Sequence, residues 1–164
     1  MVNEAPKFCD TTGEALNAAA LALVREATST HYIEANVPSP DSVLRDIPAC
    51  DVARGTHKYV LVQLSDPAGG AKLAMRSYEG CAYHADNYQR FMRELREKYG
   101  ARAIAGRVIG GGRVARDDSA KTCFVYGYSK TFGRTPGCNE RSAAMIEQSV
   151  DYEGYVVTWS DDGY

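Results

Sequence analysis

Lys58-Tyr59-Val60-Leu61-Val62-Gln63-Leu64, followed by Asp66-Pro67-Ala68-Gly69-Gly70, decides the architecture. The first group is rich in β-branched, aromatic and aliphatic residues, the make-up of a pleated strand with at least one buried face. The second group is turn chemistry: proline fixes φ, and the glycines accept conformations closed to other residues. Beyond it, residues 72–78 alternate in polarity and read as the returning arm of an antiparallel hairpin. From Asp86 the period changes. Tyr88, Phe91, Met92, Leu95 and Tyr99 recur at helical spacing with charges between them, and Gly100 stands where a C-cap glycine belongs.

Working towards the C-terminus, residues 101–109 read as a strand, Gly110-Gly111-Gly112-Arg113 as a turn and residues 121–128 as a further strand. Residues 129–138, with Gly133, Pro136 and Gly137, read as a loop. Asn139 is a candidate cap for a helix to about residue 149, and residues 152–159 form a last strand ended by Asp161-Asp162-Gly163. The order β-β-α-β-β-α-β predicts a single α+β domain, a mixed sheet of five to six strands flanked by two helices. Towards the N-terminus, Leu16, Ala19, Ala20, Leu23, Val24 and Ala27 make an apolar stripe, predicting a helix over residues 11–27 with Thr11 as N-cap and Glu14 as the returning carboxylate. Pro38, Pro40 and Pro48 make residues 35–56 a connector. Residues 1–56 therefore read as a helical extension to a folded unit over 57–164.

Composition bounds the function. The chain has 164 residues, 45% hydrophobic and 24% charged, the balance of a globular protein. A net charge of −2 gives no global attraction to nucleic acid or to an anionic membrane, and neither is an expected partner. No apolar run reaches membrane-spanning length. The opening Met1-Val2-Asn3-Glu4-Ala5-Pro6 lacks the pattern of a secretory signal, and Val2 excludes myristoylation. The five cysteines contain no Cys-x-x-Cys pair, which argues for reduced thiols and a cytoplasmic protein rather than a disulfide framework or a zinc site.

Three histidines are present: His31, His57 and His84. His31 and His57 read as surface residues. His84 falls where a loop enters the helix beginning near Asp86. The free N–H groups and dipole of a helix start make an anion site there, and a histidine beside it exchanges protons near neutral pH. The same position also suits a capping or half-buried histidine. The Gly110–Arg113 segment and Tyr128-Ser129 can each bring backbone amides to an anion, and Lys58 and Arg76 on the hairpin strands can each reach one; for these the ordinary turn and the solvated charge are the default readings. No Cys-x5-Arg, His-Glu-x-x-His, Gly-x-Ser-x-Gly or Walker motif occurs. No metal and no cofactor are expected.

Taken in order, Lys58-Tyr59-Val60-Leu61-Val62, Arg76, Tyr83-His84-Ala85-Asp86-Asn87-Tyr88, Gly110-Gly111-Gly112-Arg113, Val125-Tyr126-Gly127-Tyr128-Ser129 and Val157-Thr158-Trp159-Ser160-Asp161-Asp162-Gly163-Tyr164 resemble the protein histidine phosphatase family, which includes the janus and ocnus proteins. The resemblance covers nearly all of residues 58–164; residues 1–56 find no counterpart in it. It implies a single α+β domain that hydrolyses phosphohistidine on proteins, and to some extent other nitrogen-linked phosphates, without metal. It assigns the catalytic histidine to His84 and the phosphate-binding lysine to Lys58. The backbone clamp falls on Ser129, Lys130 and Thr131, the amide of Ala85 joins His84, and Arg76 and Arg113 serve as supporting arginines. Thr131 replaces a smaller residue, Glu79 stands where a basic residue is familiar, and residues near Glu153-Gly154-Tyr155 look inserted. The expectation is a monomer acting on histidine-phosphorylated proteins, with His84 as general base or nucleophile. The alternative is a non-catalytic module that binds phosphorylated proteins in the same pocket.

Overall fold

The expected hairpin is the middle of the sheet. The computed structural model describes residues 4–9, 14–28, 38, 41–67, 69–100, 104–133 and 135–163. In chain order its regular elements are α1 (Ala18–Thr28), β1 (Cys50–Val52), β2 (Gly55–Ser65), β3 (Ala71–Ser77), α2 (His84–Tyr99), β4 (Ala105–Asp117), β5 (Thr122–Tyr126), α3 (Cys138–Gln148) and β6 (Val156–Ser160), with single 3-10 turns at Val43–Asp46 and Val150–Tyr152. The sheet order is β1-β3-β2-β4-β5-β6. The two outer pairs, β1 with β3 and β5 with β6, are parallel, and the inner pairs are antiparallel. This is the α+β arrangement read from the sequence.

Alternation along β2 divides the core. Val60, Val62 and Leu64 pack with Tyr88, Phe91 and Leu95 of α2 on one face. Tyr59 and Leu61 pack with Val114, Val125 and Cys138, Ala143 and Ile146 of α3 on the other. Val60, Leu61, Val62 and Leu64 are fully buried, each worth about 1.5–3 kcal/mol relative to exposure.

The glycine run is not a turn. It lies inside β4, with Lys58 opposite Arg113, Tyr59 opposite Gly112, Val60 opposite Gly111 and Leu61 opposite Gly110. The register then slips at Leu61/Val62, leaving Ile109 as the extra residue of a bulge. The reason for glycine is close approach from both faces. A Cβ on Gly111 would stand 2.9 Å from His84 Cδ2, one on Gly110 2.8 Å from Cys138 Sγ, and one on Gly112 3.0 Å from Asn139 Oδ1. The bare strand lets the N-termini of α2 and α3 seat against opposite sides of one stretch of backbone.

Other boundaries also move. The first helix begins at Ala18 rather than at residue 11, because Asn17 caps it: its Oδ1 accepts the Ala20 N–H at 2.9 Å. Thr11, the expected cap, lies outside the described residues. The connector over 35–56 contains structure in its second half. Ser42 Oγ accepts the Leu44 N–H at 3.2 Å and donates to Asp66 Oδ2 at 2.8 Å, which buries Leu44 against the α2 core. Cys50 and Val52 then point into the α3 core as an edge strand; Pro48, just before it, needs no ladder partner. Gly137, in the left-handed region at φ 80°, precedes α3 in place of Asn139. The last strand starts at Val156 because residues 150–152 form a 3-10 turn.

Candidate active site

The site is assembled at the start of α2. Tyr83 precedes the helix in an extended conformation, and its N–H donates to Asp86 Oδ2 at 3.0 Å. The helical ladder begins with the Asp86 and Asn87 N–H groups, which both donate to Tyr83 O. The amides of His84 and Ala85 come before that ladder and carry the positive end of the helix dipole. Asn87 fixes the junction: fully buried, its Oδ1 accepts the Tyr78 N–H at 3.0 Å and ties the helix to the end of β3.

His84 is 3% exposed and lies in the space that Gly111 leaves open. Its Nε2 is 2.9 Å from Gly112 O. A carbonyl oxygen only accepts, so Nε2 carries the proton and Nδ1 holds a lone pair. The imidazole pKa falls from 6.5 to about 4, chiefly through burial, with the positive charges of Lys58 and Arg113 adding to the fall and the bond to Gly112 opposing it. The ring is a neutral, oriented acceptor at physiological pH.

Lys58 and Arg113 gather beside it, and Lys130 beside Lys58. Lys58 and Arg113 sit directly opposite one another on β2 and β4, on the α2 face. Lys58 Nζ stands 5.4 Å from the centre of the Tyr83 ring. Its pKa is lowered by partial burial and by repulsion from Arg113 and Lys130, against the pull of Asp86. Like charges held this close favour a bound anion. The loop carrying Lys130 is closed tightly: Ser129 Oγ accepts the Phe132 N–H at 3.1 Å, and Ser129 O accepts the Gly133 N–H at 2.7 Å. Phe132 leans on the Tyr83 and Ala85 cluster, which seats the loop against the start of α2.

The fold thus gathers His84, Ala85, Lys58, Arg113 and the Ser129–Lys130–Thr131 loop in one place. Arg76 is held elsewhere. Its guanidinium donates to Met75 O at 2.9 Å and to Pro48 O at 2.6 Å, and lies 4.2 Å from the centre of the Phe91 ring. Phe91 is two helical turns beyond His84, roughly 10 Å along the axis. There Arg76 lines a separate cavity of about 450 Å³ with Cys50, Tyr99 and Tyr152. His57 alternates to the α3 face and its Nε2–H donates to Arg54 O at 2.7 Å; His31 lies outside the described residues. Among the described residues, no group of three or more His, Cys, Asp or Glu side chains gathers as a metal site would require, and no helix is long and apolar enough to cross a membrane.

Two functional features were not read from the sequence. The first is Gly112 O, which orients the imidazole; the glycine run signalled close approach but not which atom it served. The second is Asn139, 3% exposed, which joins both halves of the site. Its Oδ1 accepts the Tyr59 O–H at 2.5 Å, and its Nδ2 donates to Gly127 O at 2.8 Å and Ser160 O at 3.1 Å.

A sequence model of the Janus/Ocnus family matches residues 44–156. The chain belongs to the Janus/Ocnus family. Similar members include the 14 kDa phosphohistidine phosphatase of Sus scrofa, 35% identical over 128 residues that make up 74% of this chain and 95% of that protein. The Homo sapiens protein of the same name is 34% identical over 125 residues, 72% of this chain and 94% of that protein. The sex-regulated protein janus-A of Drosophila melanogaster is 30% identical over 125 residues, 76% of this chain and 87% of that protein. Within the Janus/Ocnus match fall His84, Lys58, the glycine run and the Ser129 loop.

Proposed function

We propose that the chain is a phosphatase that hydrolyses phosphohistidine on proteins without a metal ion, with His84 as general base. The observation that carries this reading is the bond from His84 Nε2 to Gly112 O at 2.9 Å, which turns the lone pair of Nδ1 into a directed base at a helix start among three cations. The names of the mammalian relatives supply the substrate class.

In this mechanism Lys58 and Arg113, with the amides of Ala85 and of the Ser129–Thr131 loop, hold the phosphoryl oxygens. Nδ1 of His84 takes a proton from a water molecule as its oxygen bonds to phosphorus. The P–N bond breaks and its electron pair returns to the leaving imidazole, which departs neutral because its other ring nitrogen already carries a proton; His84 then releases the proton taken from water to solvent. The P–N bond is weak once the other nitrogen of the leaving imidazole is protonated, so positioning and charge stabilisation carry most of the acceleration. A dianionic phosphoryl group beside the ring also raises the proton affinity of His84 from its low resting value, which suits a base that must hold a proton only during turnover.

The test is phosphate release from a histidine-phosphorylated protein in the presence of EDTA, comparing the native chain with His84→Ala. General-base loss predicts a fall of about 10²–10⁴-fold. Full activity in the variant moves the catalytic group elsewhere, and loss of activity with EDTA in the native chain removes the metal-free mechanism. Phosphate binding without turnover in either protein identifies a reader of phosphorylated proteins instead.

A further inference from the structure

The match to the Janus/Ocnus family begins at residue 44. Described residues before it nevertheless lie against the site. Residues 4–9 and 14–17 pair as short extended arms: Phe8 bridges Ala15, the Cys9 N–H donates to Glu14 O and the Leu16 N–H donates to Lys7 O, both at 2.8 Å. Asn17 fastens these arms to α1. Its Oδ1 accepts the N–H groups of Lys7 and Ala20, and its Nδ2 donates to Ala5 O at 2.9 Å.

The apolar side of this assembly is turned to the start of α2. Phe8 is 7% exposed and Ala20 fully buried, both in one cluster with Ala85, and Leu23, Tyr83 and Phe132 pack around them. The Phe8 and Tyr83 rings are 5.9 Å apart. Each surface they cover belongs to the site: Ala85 carries a helix-start amide, Tyr83 lies beneath Lys58, and Phe132 belongs to the Ser129 loop. Ala85, 0% exposed, shares its cluster with Phe8 and Ala20.

We infer that this segment is a fixed wall that sets substrate selectivity. It leaves the side of the site formed by half-buried Lys58 and Arg113 and exposed Lys130 as the approach, one that suits a phosphoryl group on a narrow support, a small phosphoramidate or a histidine on a slender segment, and is obstructed for one on a broad folded surface. The inference rests on the phosphohistidine reading for its substrate class. The wall belongs to this chain's own upstream segment, outside the region shared with the family model.

The experiment loosens the wall in the full chain with Phe8→Ser and Leu23→Ser together. The specificity constants for phosphoramidate and for a folded histidine-phosphorylated protein are then compared with those of the native chain. The ratio of protein to phosphoramidate activity should rise at least fivefold, with faster amide hydrogen exchange over residues 83–88. An unchanged or lowered ratio overturns the inference, since a merely structural role moves both substrates together. The milder Phe8→Ala is read the same way if the double variant does not fold. Dissociation constants for inorganic phosphate and for a folded protein bearing a non-hydrolysable phosphohistidine analogue give the same ratio without turnover. Thus a chain that binds but does not hydrolyse sinks the phosphatase reading while still deciding the wall.

Discussion

His84 and Gly112 are locked by one hydrogen bond, Nε2–H to carbonyl oxygen at 2.9 Å, and it can form only because Gly111 next door has no side chain. The bond fixes the tautomer, and the burial that accompanies it lowers the pKa to about 4. Stability should therefore depend on pH in a defined window. The unfolded chain binds the extra proton between about 4 and the ordinary 6.5, and the folded chain does not. This contribution is complete above 6.5 and is lost as pH falls through that window, on the order of 3 kcal/mol in all. Urea unfolding at pH 7, 5.5 and 4.5 measures it. His84→Gln, which has no ring to titrate, should lose stability less steeply; equal slopes would refute the buried neutral ring.

Backbone space at Gly111 is a separate demand. A Cβ there would stand 2.6 Å from Tyr59 O and 2.9 Å from His84 Cδ2, and the first of these is strand backbone that cannot turn aside. Gly111→Ala should cost about 1–3 kcal/mol by overpacking and displace the imidazole, lowering phosphate release more than it lowers stability. Gly106→Ala in the same strand is the control. Its Cβ meets Met92 Sδ at 2.7 Å, the movable end of a flexible side chain. Thermal unfolding and activity of the two variants should separate clearly.

The hairpin, the α2 periodicity and the α+β class were legible because each rests on a local pattern: alternation over 58–64, and Tyr88, Phe91 and Leu95 on one helical face. The glycines of β4 were misread as a turn for an equally physical reason. Glycine signals either positive φ or close approach, and only tertiary structure shows that the N-termini of α2 and α3 meet there. The position of His84 at a helix start was legible, because the change of period near Asp86 marks that helix. Arg76 was not separable from Arg113 in sequence, since both are arginines on strands; the distinction lies in the Pro48 carbonyl and Phe91 ring that hold Arg76. The covering of Ala85 by Phe8 depends on contacts far apart in the chain, which no local pattern encodes.

In the proposed mechanism Lys58 acts on both the anion and the base. Replacing it in Lys58→Met removes a charged partner worth about 1.5–3 kcal/mol to a bound phosphate, so affinity for inorganic phosphate should fall at least about tenfold and become less sensitive to salt. The same change should raise the His84 pKa, because Lys58 is one of the charges that depress it. Nuclear magnetic resonance titration of the ring gives the second readout. Weaker phosphate binding with an unmoved His84 titration would mean that Lys58 does not face the imidazole.

Asn139 joins elements that carry different halves of the site. Its acceptor holds Tyr59, the residue after Lys58 and the partner of Gly112; its donors hold Gly127, two residues before Ser129, and Ser160 at the end of β6. Asn139→Ala takes from the buried Tyr59 hydroxyl its 2.5 Å acceptor, leaving the Cys138 thiol at 3.4 Å, and strips two carbonyls of a donor. The cost is about 2–4 kcal/mol, a fall in Tm of roughly 4–15 °C for a chain of this size. Asn139→Asp should be worse, although it differs by one atom. The carboxylate still accepts from Tyr59, but its second oxygen faces Gly127 O, Ser160 O and Asp161 Oδ1, the acceptor that now lies 3.2 Å from Nδ2. Repulsion among those oxygens in a buried setting would push the Gly127–Ser129 strand end outward and weaken phosphate binding beyond the alanine variant. Thermal unfolding and phosphate affinity, both ranked native, then Ala, then Asp, are the expected result. An aspartate variant as stable as the native chain would show that the donors of Asn139 do not hold the loop.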